Sequence, residues 1–175
     1  MIKYLKSNTL VAQAFIIISI IGTIYGYYTY GLTLGTVTLP ILGYFLYVGL
    51  GISVTFHRQL THKSYKTHPW IVKLGTLLGT LSNTGSSIVW VAIHMNHHRH
   101  ADTEKDPHSP AIKGFWPVLF TVWHVPRIPK KYAKDLYNNP RLVFFHKYWL
   151  KIIFAVWIIS YSIDVLLGNA LSPYF

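Results

Sequence analysis

Histidines in two short stretches of the chain have the number and spacing of a metal site. The first stretch, FHRQLTH, contains His57 and His62. The second, IHMNHHRHADTEKDPH, starts at Ile93 and holds five of the ten histidines and three of the five acidic residues. Neutral imidazole binds zinc, copper, nickel and iron. The two stretches therefore predict a metal site rather than a solvated loop.

Spacing within each stretch determines which histidines reach one centre. His94, His97 and His98 share a helix face, because residues three and four positions apart are neighbours on an α-helix. His57 and His62 are five positions apart, about 140° around a regular helix. Both therefore reach one centre only if the helix ends or is distorted there. Five nitrogen ligands are too many for a closed tetrahedral zinc site and roughly half of what two five-coordinate ions need.

Acidic residues follow the second stretch directly. Asp102, Glu104 and Asp106 are placed to accept N–H bonds from ligand imidazoles and so to set their tautomers. Asp102 and Asp106 are therefore candidates for a supporting or additional ligand role, and so are two later histidines, His108 and His124.

The composition places this site in a membrane protein. The chain is 51% hydrophobic and only 12% charged, whereas soluble domains carry about 25% charged residues. Because it has no cysteine, thiolate sites and disulfides are excluded. Its net charge of +11 fits lipid-facing and cytoplasmic basic segments better than nucleic-acid binding.

Three apolar runs are predicted to cross the membrane. Leu10–Tyr28 and Val37–Phe56 are uncharged and long enough to cross a core of roughly 30 Å as helices. Thr29–Thr36 joins them as a hairpin turn, and the third crossing is Trp149–Leu167. The first run is longer than a signal peptide's apolar region, so we interpret it as a retained span.

The basic residues predict the orientation of these helices. They cluster near the N-terminus, in residues 57–69 and in residues 94–148, which places the N-terminus and both histidine stretches on the cytoplasmic face. The remaining apolar run, Trp70–Ile93, must then begin and end on one side. Its polar interior, Ser82–Ser87, is turn-prone, so an interfacial or re-entrant helix is expected. The predicted fold is all-α, with residues 1–175 as one membrane domain.

Several motifs together resemble the membrane fatty acid desaturases, and within them the Δ9-type acyl-CoA and acyl-lipid desaturases. The resemblance covers most of the chain, and the combined order and spacing of the motifs is specific. They are HRQLTH at His57–His62 followed by KSY, HMNHH at His94–His98, DPHS at Asp106–Ser109 and Gly114-Phe115.

The resemblance implies a non-haem diiron enzyme that uses O2 and two electrons to place a cis double bond in an acyl chain. His57, His62, His94, His97 and His98 would be ligands of two iron ions. The substrate would be an acyl-CoA, acyl-ACP or acyl-lipid. The electrons would come from ferredoxin or cytochrome b5. The protein would supply a dry channel that fixes the reacting carbon near the iron.

The family's third histidine box, His-x2-His-His, has no counterpart in this sequence. Three explanations are open: a split desaturase completed by a second chain, a truncated or decayed product, or substitution by other histidines (His68, His100, His108, His124 and His146). Two alternative functions are also open, a membrane diiron hydroxylase and a non-catalytic metal-binding membrane protein.

Overall fold

The computed structural model describes residues 4–6, 9–119 and 127–166. Within them the chain is mostly helical, with one short two-stranded antiparallel ribbon. The elements in order are β1 (Tyr4–Lys6), α1 (Thr9–Tyr30), α2 (Leu34–Tyr44), a π-helix (Phe45–Thr61), α3 (Pro69–Leu81), α4 (Ser87–His100), α5 (Pro110–Lys113), α6 (Phe115–Leu119), β2 (Arg127–Pro129), a 3₁₀ helix (Lys130–Asn138) and α7 (Pro140–Leu166).

The predicted turn between the first two apolar runs is confirmed. α1 ends at Tyr30, and Gly31 takes a positive φ of 70°. Thr33 and Thr36 then cap α2 reciprocally: the Thr36 amide donates to the Thr33 hydroxyl at 3.1 Å, and the Thr33 amide donates to the Thr36 hydroxyl at 2.8 Å. Two N-terminal amides of α2 are thereby satisfied without water.

Two helical segments among the described residues are long and apolar enough to cross a membrane. They are Leu34–Thr61, which combines α2 with the π-helix, and Pro140–Ile163. Only 6% and 22% of their most apolar windows are buried inside the protein, so most of these side chains are free to contact lipid. α1 covers the first predicted span; its crossing, like the orientation of the helices, stays a prediction.

α3 packs closely against the π-helix through glycines. A Cβ atom on Gly51 of the π-helix would collide with the Gly79 backbone of α3. A Cβ on Gly75 would likewise collide with the Thr55 side chain. Small residues at a helix contact let two backbones approach closely, as is usual inside membranes. This contact fixes α3 against the helix that carries His57.

The third apolar run is two helices rather than one. α3 ends at Leu81 and α4 begins at Ser87, so the turn predicted at Ser82–Ser87 is confirmed. That this run is interfacial or re-entrant stays a prediction. Asn83 and Gly85 take positive φ angles of 62° and 98° in this turn. Ser86 then caps α4 by accepting from the Val89 amide at 3.4 Å. The break lets α4 take its own direction and carry the second histidine stretch.

The ribbon and the 3₁₀ helix cover α4, and neither was predicted by the all-α assignment. β1 pairs with β2 so that Leu5 lies opposite Ile128. Ile128 is fully buried in one cluster with Ile88 and Ala92 of α4. The 3₁₀ helix adds Ala133 and Leu136 to this core, and α7 adds Leu142. The second histidine stretch therefore sits on a helix held from several sides.

Candidate metal centre

His57 and His62 lie on the same side of their helix, because that helix is distorted in the way their spacing requires. Phe45–Thr61 is a π-helix, in which each amide bonds the carbonyl five residues earlier. The His62 amide continues this pattern by donating to the His57 carbonyl at 3.1 Å. Residues five apart therefore lie much closer to one face than they would on an α-helix. The Nε2 atoms of the two rings are 3.1 Å apart.

α4 presents its histidines at regular α-helical spacing. His94 and His98 are four positions apart, and their Nε2 atoms are 3.0 Å apart. His97 belongs to the same helix, but its Nδ1 atom turns to a carboxylate downstream. The histidines of the second stretch therefore have two different environments. His94 and His98 lie near the first stretch, whereas His97 contacts the loop that follows α4.

Four imidazoles from the two stretches converge. The ligand nitrogens of His57, His62, His94 and His98 all lie within 4.8 Å of one another. The ring centroids of His57 and His94 are 4.7 Å apart, and those of His62 and His98 are 4.8 Å apart. We call this group the four-histidine cluster. An N–H···N hydrogen bond would account for each close pair, but not for the convergence of both pairs.

Two rings of the four-histidine cluster are held neutral, which is the form of imidazole that binds a metal. Burial, and then the neighbouring His98 and His57 rings, lower the pKa of His94 to about 3. Burial and the neighbouring His62 ring also lower the pKa of His98. At neutral pH these rings keep a lone pair free for a metal. Two nitrogens bound at right angles to one ion, each at about 2.1 Å, are about 3 Å apart, so the observed pairs fit a first-row metal such as iron.

A second group of possible ligands lies beside the first. His97, Asp106 and His108 offer donor atoms that are all within 4.8 Å of one another. The Nδ1 atom of His97 is 2.8 Å from one carboxylate oxygen of Asp106 and 2.9 Å from the other. The His97 and His108 rings are 4.4 Å apart at their centroids. We call this group the His-Asp-His cluster.

Asp106 is a fully buried carboxylate whose hydrogen bonds hold it ionised. Burial raises its pKa, but bonds from the His108 amide, the His97 ring and the Asp102 amide outweigh this and lower the pKa to about 2. Asp102 belongs to neither cluster among the described residues. Its carboxylate instead accepts from the Ser109 hydroxyl at 2.6 Å, which closes the loop around Asp106.

Aromatic residues that the sequence did not single out pack against the clusters. Trp90 lies four residues before His94 on α4 and stacks on its ring, with centroids 4.8 Å apart and planes 26° apart. Phe56 packs against Trp90 at 5.9 Å. The i, i+4 relation between Trp90 and His94 was the available signal, but aromatic residues are common at helix spacing in a membrane chain.

Most other histidines lie elsewhere. His146 bonds the Ser86 hydroxyl through Nδ1 at 2.7 Å, which ties α7 to the start of α4. His68 caps α3 by accepting from the Trp70 amide. Neither these two nor His100 belongs to a cluster in the part of the chain that the structure describes. His108 joins the His-Asp-His cluster, and His124 lies outside the described residues.

Comparison with known proteins gives one family. Residues 31–173 match the Fatty acid desaturase family, a range that includes both clusters. The chain is 35% identical over 141 residues to the sn-1 stearoyl-lipid 9-desaturase of Anabaena variabilis, covering 78% of this chain and 51% of that protein. It is 33% identical over 133 residues to the probable acyl-CoA desaturase of Schizosaccharomyces pombe, covering 74% of this chain and 27% of that protein.

A shorter and more similar match is the Delta-9 acyl-lipid desaturase 2 of Arabidopsis thaliana. It is 46% identical over 68 residues, which is 39% of this chain and 22% of that protein. The chain thus spans about half of the first of these relatives and less of the other two. No solved structure matches the chain.

Proposed function

Because this chain belongs to the fatty acid desaturase family, we propose that it carries part or all of the iron site of a membrane fatty acyl desaturase. Such an enzyme uses O2 and two electrons to introduce a cis double bond into an acyl chain. One observation carries the proposal most directly. Two histidine stretches, on different helices, bring four imidazole nitrogens within 4.8 Å of one another.

We assign the five box histidines as iron ligands. His57, His62, His94 and His98 would hold one ion in the four-histidine cluster, and His97 would turn toward a second. Bound iron would supply the O2 activation and hydrogen removal that side chains alone do not perform. His108 is the additional donor nearest to His97.

Asp106 would act on the site by positioning His97. Its carboxylate accepts from Nδ1 of His97, so the lone pair of that imidazole is left on Nε2. The buried carboxylate also balances part of the positive charge that a second ion would bring. Trp90 would fix the plane of the His94 ring by stacking on it. These contacts hold the ligands in place before substrate binds.

The surroundings of the site fit a reaction at the membrane surface. Both clusters lie near the ends of helices: His57 is close to the end of Leu34–Thr61, and His97 is close to the end of α4. We propose that this end and the N-terminus face the cytoplasm in a multi-pass protein, where a ferredoxin or cytochrome b5 would deliver electrons.

The relatives' names favour an acyl-lipid or acyl-CoA as the substrate, and an acyl-ACP remains a candidate. Two five-coordinate ions would need more ligands than the two clusters offer. We propose that the rest come from outside them, and a second chain that carries a third histidine box would supply such ligands.

Iron content tests this proposal first. The full chain, purified in detergent and loaded anaerobically with Fe(II), is expected to bind iron, and the His94→Ala/His98→Ala variant to lose most of it. Two irons per chain would mean that the chain closes its own site. One would mean that a partner completes it. Equal iron in the protein and the double variant would contradict the ligand assignment.

Product analysis then tests the reaction. The protein is supplied with an acyl-lipid, an electron donor and, where iron content requires it, the partner chain. A new double bond is expected, and a new hydroxyl group would instead indicate a hydroxylase.

A further inference from the structure

A separate cavity lies between the first turns of α3 and α7. Its volume is about 140 Å³. The floor is apolar and is formed by Val72, Leu142 and Phe145. Two long, exposed cationic side chains, Lys73 of α3 and Arg141 of α7, also line it. None of the cluster histidines lines this cavity, so it is distinct from the candidate metal centre.

The positive charge of this cavity is not neutralised by the described part of the protein. Lys63 pairs with Asp135 at 2.8 Å, but no described acidic residue forms an ion pair with Lys73 or Arg141. No acid lines the cavity either. Like charges that line one cavity repel each other, and a bound anion reduces that repulsion. The cavity is therefore suited to a negatively charged ligand.

The position of the cavity selects among anions. Arg141 lies one residue after the start of the membrane-spanning segment Pro140–Ile163, which is the level where lipid headgroups meet the hydrocarbon core. The same two helices expose large apolar side chains, among them Trp70 and Phe144, which are 59% and 52% exposed. A ligand with an anionic head and apolar tails matches both features.

We propose that this cavity binds the phosphate of an anionic phospholipid. Arg141 offers a planar pair of N–H donors to the phosphate oxygens and Lys73 offers a point charge. The acyl tails lie along the exposed apolar faces of α3 and α7. Basic pockets between membrane helices are suited to such headgroups. The bound lipid joins α3 to α7 and so stabilises the folded chain.

The test compares lipids that differ only in headgroup charge. The full chain in detergent is titrated with phosphatidylglycerol or with phosphatidylcholine of the same acyl chains. Bound lipid is counted by native mass spectrometry, and Tm is followed in parallel. Phosphatidylglycerol is expected to bind at least fivefold more tightly and to raise Tm more. Equal binding of the two lipids would overturn the proposal.

Two matched variants locate the effect. Lys73→Gln/Arg141→Gln removes the two cavity charges, and Lys113→Gln/Lys147→Gln removes two exposed charges outside the cavity. The preference for phosphatidylglycerol should vanish in the first variant and persist in the second. If the preference persisted in both double variants, the lipid would bind outside this cavity and the proposal would be wrong. If the first double variant does not fold, Lys73→Gln and Arg141→Gln singly must each weaken binding.

Two further readouts distinguish the lipid site from a free-anion site and from the metal centre. Inorganic phosphate that raises Tm as much as phosphatidylglycerol would make this a free-anion site and overturn the lipid assignment. Iron content should not change in Lys73→Gln/Arg141→Gln, since neither residue contacts a cluster. Absence of a lipid preference in the parent protein would therefore count against the lipid site alone, and absence of bound iron would count against the proposed metal centre alone.

Discussion

The Nε2 atoms of His57 and His62 lie 3.1 Å apart although the residues are five positions apart in one helix. An α-helix would place them about 140° apart around its axis. The π-helix from Phe45 to Thr61 reduces that separation, because its hydrogen bonds span five residues instead of four. Threonine side chains follow the same pattern: the Thr61 hydroxyl donates to the Phe56 carbonyl at 2.8 Å. The first histidine pair thus depends on an unusual backbone.

Thr61→Val should weaken iron binding by about 10-fold, at the low end of what losing a supporting contact costs. Valine keeps the shape of threonine but removes the hydroxyl that donates a second hydrogen bond to the Phe56 carbonyl, at a cost of about 1 kcal/mol in folding. Fe(II) titration under anaerobic conditions measures the change. Thr61→Ser keeps the hydroxyl and should bind iron nearly as the parent does. Equal affinity in the valine and serine variants would show that this bond does not support the site.

Asp106→Asn should lower metal affinity by about 10- to 100-fold. The asparagine side chain carries no charge to balance the metal, and it presents one acceptor oxygen where the carboxylate has two. Its hydrogen bonds with His97 and with the backbone amides of Asp102 and His108 are therefore weaker or lost. Co(II) titration followed by absorbance would measure the affinity. The control is Asp135→Asn, which removes an exposed carboxylate paired with Lys63 outside both clusters. Matching affinities for the two variants would argue against a positioning role for Asp106.

Gly51→Ala should destabilise the folded protein by about 1–3 kcal/mol. The new methyl group would collide with the Gly79 backbone and force α3 away from the π-helix. Gly49→Ala is a matched control in the same helix, because a Cβ there meets no atom within 4 Å. Thermal unfolding in detergent compares the variants. A Tm for Gly51→Ala no lower than that of Gly49→Ala would show that the two helices do not pack this closely.

Metal binding should quench the fluorescence of Trp90. This ring stacks on His94 at 4.8 Å, whereas Trp157 packs against Phe15 near the first turns of α1. Co(II) loading should therefore lower the emission of the parent and of Trp157→Phe. The same loading should change Trp90→Phe much less. Similar quenching in Trp90→Phe would mean that the metal binds near another tryptophan.

The histidine motifs and the broken third run could be predicted from the sequence, because spacing and turn residues are local signals. The family assignment followed from the same motifs and is confirmed by the match over residues 31–173. The spacing of His57 and His62 also indicated that their helix must end or be distorted, but it did not indicate which kind of distortion occurs. A π-helix of this length has no reliable local signal in the sequence.

Other features could not be predicted from the sequence, because they depend on contacts between segments that are far apart in the chain. The bond between Ser86 and His146 links the third apolar run to a residue sixty positions later, and nothing near either residue indicates the partner. The cavity between Lys73 and Arg141 arises from the same docking of α7 on α3. A bond from Asp106 to a ligand imidazole was easier to predict, since Asp106 and His97 are only nine positions apart and the helix ends between them.

The ribbon of β1 and β2 has a consequence for the order of assembly. Leu5 pairs with Ile128, more than a hundred positions later, and Ile128 packs under the helix that carries His94, His97 and His98. During synthesis, both histidine stretches leave the ribosome well before this partner strand does. Pairing across such a distance is slow, because a large loop must close before any contact forms. The metal centre therefore acquires this support only after the residues that would bind the metal have been made.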